Sequence, residues 1–162
     1  MLLEGSCHCG AVRFAVESET PAPFMYCYCS ICRKTGGGGG YAVNIMGLAD
    51  SLKVEGREAL SCYQARMSSG KGAEVSPMRR YFCGRCGSAL WGEDPRWAEW
   101  VYPMASAIDT PLPKPRELVH MMEYYRPEWV IPAKLRKEHR FGEYPEESIE
   151  EWHERTGMLK RG

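Results

Sequence analysis

Polar and apolar residues alternate along much of this chain. Val12, Phe14 and Val16 are interleaved with Arg13, Ala15 and Glu17, the two-residue period of a strand with one buried face. The segments Tyr41 to Met46, Leu60 to Ala65, Met78 to Phe82, Trp100 to Ser106 and Leu118 to Tyr125 also read as strands. Turn-forming clusters punctuate them at Thr20-Pro21-Ala22-Pro23, Ser68 to Gly72 and Thr110 to Pro115. One helix is predicted near the C-terminus. Pro145 suits its first turn, Glu146 and Glu147 complement the positive end of the helix dipole, and Gly157 stops it. Ile149 and Trp152, three apart, would dock its apolar face on the sheet. The pattern predicts a mainly β fold with a short C-terminal helix.

Composition adds limits. The chain of 162 residues fits one domain and is long enough to bury roughly two-thirds of its unfolded surface. A metal would therefore reinforce a real core or serve chemistry. We divide the chain into a domain over residues 1–130 and a C-terminal extension over 131–162 whose helix packs on that domain. Lys plus Arg balances Asp plus Glu at 21 each, so no electrostatic footprint for nucleic acid or an anionic membrane is expected. No apolar stretch approaches the roughly 18 residues of a membrane span, and no signal peptide is visible, so a cytoplasmic location is the expectation. Eight cysteines in a reducing compartment point to metal or redox chemistry and away from disulfides.

Seven of those cysteines fall in three clusters: Cys7-His8-Cys9-Gly10, Cys27-Tyr28-Cys29-Ser30-Ile31-Cys32 and Cys83-Gly84-Arg85-Cys86-Gly87. Two sulfurs of a C-x-C pair in a flat strand would stand about 6.5–7 Å apart, too far to share a metal bound at about 2.3 Å. A turn is required, and the adjacent glycines permit one. The first and third clusters together supply four thiolates, the closed tetrahedral set of a structural zinc. The second supplies three, leaving a fourth coordination position open as in catalytic zinc sites. Cys62 stands alone and reads as a small buried hydrophobe.

The order C-x-C-G, C-x-C-S-x-C-R-K-x-x-G and R-x-F-C-x-x-C-G-x-x-L resembles the glutathione-dependent formaldehyde-activating enzyme family. Here the last two stretches run from Cys27 to Gly37 and from Arg80 to Leu90, and His120, Pro127 and Trp129 resemble the family's last strand and the aromatic after it. The resemblance implies a β-tent of short antiparallel strands. It implies a structural zinc on Cys7, Cys9, Cys83 and Cys86 and a catalytic zinc, partly occupied in some states, on Cys27, Cys29 and Cys32. The implied activity is a carbon–sulfur lyase reaction, S-(hydroxymethyl)glutathione synthesis, with a glutathione-like thiol and a small aldehyde as partners. Tyr28 stands where the family often has histidine.

Other candidates follow from position. Arg33 and Lys34 succeed the third ligand and could offset the site's negative charge; Arg79, Arg80 and Arg126 are candidate partners for glutathione carboxylates. Gly36 to Gly40 read as a flexible turn that could also present N–H groups to an anion. His8 is expected to be exposed, and His120 to be a satisfied, partly buried histidine in a strand. His139 and His153 lie in charged surroundings and carry no signal. Trp91, Trp97, Trp100 and Trp129 are expected in core and pocket walls. Two other functions compete with the enzyme: a non-enzymatic zinc module that binds glutathione or a protein, and a zinc-stabilised thiol reductase.

Overall fold

The computed structural model describes residues 1–69 and 72–161. Among the described residues, twelve strands form three sheets. The first joins β1 (Leu2–Ser6), β2 (Arg13–Glu17) and β6 (Lys53–Glu55), with antiparallel pairing throughout. The second is antiparallel in the order β5 (Gly47–Leu48), β10 (Trp100–Pro103), β9 (Ala89–Glu93), β8 (Gly72–Cys83) and β7 (Leu60–Ser69). The third runs β12 (Glu138–Arg140), β11 (Leu118–Met121), β3 (Met25–Cys27) and β4 (Ala42–Val43). Here two pairings are parallel, β11 with β12 and β11 with β3, a departure from the antiparallel expectation. Parallel neighbours need long connections. Those between β3 and β11 and between β11 and β12 are long enough.

The alternation in β2 does what its period demands: Phe14 and Val16 are buried while Arg13 and Glu17 face out. Other boundaries shift. Of Tyr41 to Met46 only Ala42–Val43 pairs as a strand, with isolated bridges at Asn44 and Met46. Leu118 to Tyr125 leaves the sheet after Met121 at Met122, which takes a left-handed φ of 60°. The turn expected over Ser68 to Gly72 includes residues 70–71, which lie outside the described residues. A helix that periodicity did not predict, α1 (Ser30–Gly36), follows β3.

The C-terminal helix α2 spans Ile149–Arg155, four residues later than Pro145 suggested, because Ser148 and Glu151 form a capping box. Gly157, at φ 66°, lies just beyond its end. Trp152 is fully buried and stacks on Phe24 with ring centroids 3.8 Å apart. His153, read as uninformative, is also fully buried. Its Nε2 accepts the Ala22 N–H at 3.0 Å and its Nδ1 lies 2.8 Å from the Ile149 carbonyl. The buried Glu117 carboxylate beside β11 binds Lys137 at 3.1 Å, Arg155 at 3.0 Å and His139 at 3.3 Å. Strand β12 and helix α2 are thereby held to β11 by both packing and charge.

Candidate metal centres

The ends of β1 and β8 place the first group of sulfurs. After β1 the chain turns so that the Cys7 N–H donates to the Val12 carbonyl at 3.0 Å, and the Val12 N–H returns to the Cys7 sulfur at 3.2 Å. After β8 the Cys83 N–H donates to the Ser88 carbonyl at 2.9 Å, and the Gly87 N–H donates to the Cys83 carbonyl at 2.8 Å. Gly10 and Gly87 complete these turns at φ 72° and 77°, where a side chain would be strained. The four sulfurs of Cys7, Cys9, Cys83 and Cys86 lie within 4.8 Å of one another. Cys7 and Cys9 are 3.6 Å apart, and Cys9 and Cys83 are 3.7 Å apart. Metal–sulfur bonds of about 2.3 Å put the corners of a tetrahedron about 3.8 Å apart, so the set fits zinc without rearrangement. The Ser88 hydroxyl, 3.2 Å from the Cys86 sulfur, accepts the His8 N–H at 3.1 Å. Sequence reasoning overlooked Ser88.

Helix α1 and strand β3 place the second group. Cys27 ends β3, Cys29 caps α1 by accepting the Cys32 N–H at 3.3 Å, and Cys32 lies in the first turn of α1. Their sulfurs also lie within 4.8 Å of one another, and no fourth Cys, His, Asp or Glu joins the group among the described residues. Cys27 and Cys32 are buried and Cys29 is half-buried.

Charge decides what this second group needs. Hydrogen bonds from Cys27 and Cys32 pull the Cys29 thiol down to about 2. The same bonds, with burial, push Cys27 far above the usual thiol range. Cys32 is drawn down by its bond to Cys27, but its bond to Cys29 and burial outweigh this and raise it to about 11. The three crowded sulfurs thus oppose one another's ionisation. Ionising all three requires a cation at their centre, and a set of soft sulfur donors suits zinc.

The other candidates are distributed unevenly. Tyr28, between two of the three cysteines, is fully buried, with its hydroxyl 2.8 Å from His120 Nδ1 and its ring stacked on that imidazole. His120 is also fully buried rather than partly so, and burial first of all lowers its pKa, which keeps the ring neutral. Arg80 lines a cavity of about 310 Å³ with Thr35, Tyr63, Tyr81, Phe82 and Met104. Its charge also reaches Cys32. Arg126 is occupied locally by the Val130 carbonyl and Glu123. Lys34 and Arg79 are exposed; Arg33 is half-buried, with Nε buried and unpartnered.

Gly36 and Gly37 line a separate cleft of about 590 Å³ that runs to Cys7 and Ser88, while Gly40 packs beneath Trp129 and Val130. His8 is exposed. Cys62 is exposed as well, contrary to its reading as a core residue, because β7 is the edge of its sheet. Trp91 is core, but Trp97 and Trp129 stand largely in the open at 47% and 66% exposure, so they are not core walls.

Tyr144 had no signal in the sequence. It follows Glu143, whose carbonyl accepts the Met122 N–H at 2.8 Å, and Met121 in turn accepts the Tyr28 N–H at 3.1 Å. The Tyr144 side chain stands 70% exposed, and partial desolvation, then the charges of Cys27, Cys29 and Cys32, raise its pKa.

A mainly β fold carrying one four-sulfur and one three-sulfur group sets the chain among proteins whose clustered cysteines could hold a metal ion. The model of the glutathione-dependent formaldehyde-activating enzyme family matches residues 2–126, and the chain belongs to that family. A provisionally named glutathione-dependent formaldehyde-activating enzyme of Halomonas elongata is 57% identical over 158 residues, covering 98% of each chain. A crystal structure of a Rhodobacter sphaeroides protein superposes with a TM-score of 0.52 at 27% identity, covering 68% of this chain and 91% of that one.

Proposed function

We propose that this protein joins glutathione, or a similar thiol, to formaldehyde or another small aldehyde at Cys27, Cys29 and Cys32, acting reversibly as a zinc-dependent carbon–sulfur lyase. The observation that carries this reading is the contrast between the two sulfur groups. Cys7, Cys9, Cys83 and Cys86 offer a complete tetrahedron, suited to a structural role. The other three cysteines leave a coordination position for an incoming ligand. Family membership and the name of the Halomonas relative support the choice of substrates.

The reaction is an addition. The thiol sulfur forms a bond to the carbonyl carbon, the C=O π pair moves to oxygen, and the proton lost by sulfur ends on that oxygen as the hydroxymethyl group forms. Zinc held by the three thiolates would supply Lewis acidity and favour the ionised form of a thiol. The chain supplies the rest. Cys27 and Cys32 are buried, so these two sulfurs are themselves shielded from water. Arg80 brings positive charge to a cavity with largely apolar walls beside α1, suited to a substrate carboxylate. The Tyr144 hydroxyl is a candidate donor to the developing alkoxide.

The test is the rate of adduct formation and exchange between glutathione and formaldehyde, followed by exchange NMR against the spontaneous reaction. Wild type accelerates the exchange, and Cys27→Ser loses the acceleration while its circular dichroism is unchanged. A wild-type protein that binds glutathione but leaves the rate at the spontaneous value contradicts the enzyme and leaves a binding module.

A further inference from the structure

The middle residue of the C-x-C pair is more tightly held than either of its neighbours. Tyr28 is fully buried, its N–H donates to the Met121 carbonyl at 3.1 Å, and its ring lies between His120 and the edge of Tyr41. Its hydroxyl is 2.8 Å from His120 Nδ1. On the other side of the imidazole, Nε2 is buried and lacks a hydrogen-bond partner, and so does Glu138 Oε2, 4.0 Å away. That separation is too long for a hydrogen bond. Buried polar atoms without partners are uncommon and call for an explanation. Here two such atoms face each other.

Glu138 is itself fixed. Its other oxygen accepts from Arg140 at 3.0 Å, and Arg140 reaches on to Glu123. This leaves Oε2 turned toward the imidazole. A carboxylate facing Nε2 favours the tautomer with the proton on Nε2. Nδ1 then carries the lone pair and accepts the Tyr28 O–H.

We infer that Glu138, His120 and Tyr28 form a positioning array that sets the spacing of the Cys27 and Cys29 sulfurs for metal binding. The inference rests on the reading that the three-cysteine group holds a metal. Groups that orient metal ligands from behind are worth about 10- to 100-fold in metal affinity. The array acts through the backbone of Tyr28, whose two neighbours are both ligands. Glu138 lies on β12, beyond residues 2–126 matched by the family model. The C-terminal segment therefore contributes to the metal centre as well as to the fold.

The experiment measures metal affinity site by site. Zinc-loaded wild type, Tyr28→Phe, Glu138→Ala and Glu138→Gln are titrated with a chromophoric chelator, with the four-cysteine group as internal reference. Cobalt-substituted samples report ligand geometry through their visible absorption. Tyr28→Phe and Glu138→Ala weaken the three-cysteine site about ten-fold or more and shift its cobalt bands, and the four-cysteine site is unchanged. Glu138→Gln, which keeps the length of the side chain and can turn its amide oxygen toward Nε2–H, recovers most of the affinity. If wild type takes up two metals and all variants release them alike with unaltered cobalt bands, the array is overturned and the metal reading stands. If wild type takes up only the metal of the four-cysteine group, the metal reading fails and the inference with it.

Discussion

Cys7, Cys9, Cys83 and Cys86 differ from Cys27, Cys29 and Cys32 in number and surroundings, while their donor chemistry is the same. In the first four, the Cys9 sulfur stands 3.6 Å from that of Cys7 and 3.7 Å from that of Cys83, and the group is backed by turn N–H groups and the Ser88 hydroxyl. The other three lie at the start of α1, where the charge of Arg80, which lines a cavity, reaches Cys32. Arg80→Ala is expected to raise KM for glutathione about ten-fold, the value of roughly one charge-assisted hydrogen bond. Metal content and kcat should hold. Steady-state kinetics in both thiol and aldehyde check this, and an unchanged KM would remove Arg80 from the thiol site. The cysteines were legible because ligand count and spacing are local properties. Arg80 stood in the sequence only as one of three arginines, since which face of β8 it occupies depends on register. Tyr144 was invisible because its place depends on how the chain after β12 runs alongside residues 120–124.

The strands that alternate cleanly, β2 above all, could be read from the chain, as could the existence of α2. Helix α1 could not: its seven residues carry no apolar stripe, and a cysteine sulfur serves as its cap. The parallel pairing of β3 with β11 brings Tyr26 beside His120 and Cys27 beside Met121. Local periodicity holds no record of such a partner. Helix α2 invites a test through His153. Burial pushes its pKa below the ordinary value near 6.5, and the Ile149 carbonyl offsets only part of that effect. The folded state then binds fewer protons than the unfolded one. The stability is complete above the unfolded pKa and is lost as pH falls through the folded pKa. Acidification from about pH 7 to pH 5 should lower stability more in wild type than in His153→Gln. Urea unfolding followed by tryptophan fluorescence measures the difference, and an equal loss of stability in both proteins would contradict it.

Both sulfur groups belong to one hydrophobic core, where Cys7, Cys27, Cys32 and Cys83 pack with Leu3, Val12, Trp91 and Met121. The four-sulfur group joins positions 74 residues apart, so a metal there closes a long loop as well as satisfying its ligands. The three-sulfur group is bounded by β3, α1, β11 and the segment after β12, with Glu117 fastening β12 and α2 at the side. No helix among the described residues is long and apolar enough to cross a membrane. On the proposed reading the molecule divides its sulfurs between holding the chain together and leaving a coordination position for a substrate. Zinc content per chain in wild type, Cys27→Ser and Cys83→Ser, measured by native mass spectrometry after purification without added metal, tests that division most directly. The account predicts two zincs in wild type, one in a folded Cys27→Ser, and a Cys83→Ser protein that loses the other and unfolds more readily. A wild type holding a single zinc that survives Cys27→Ser would contradict it.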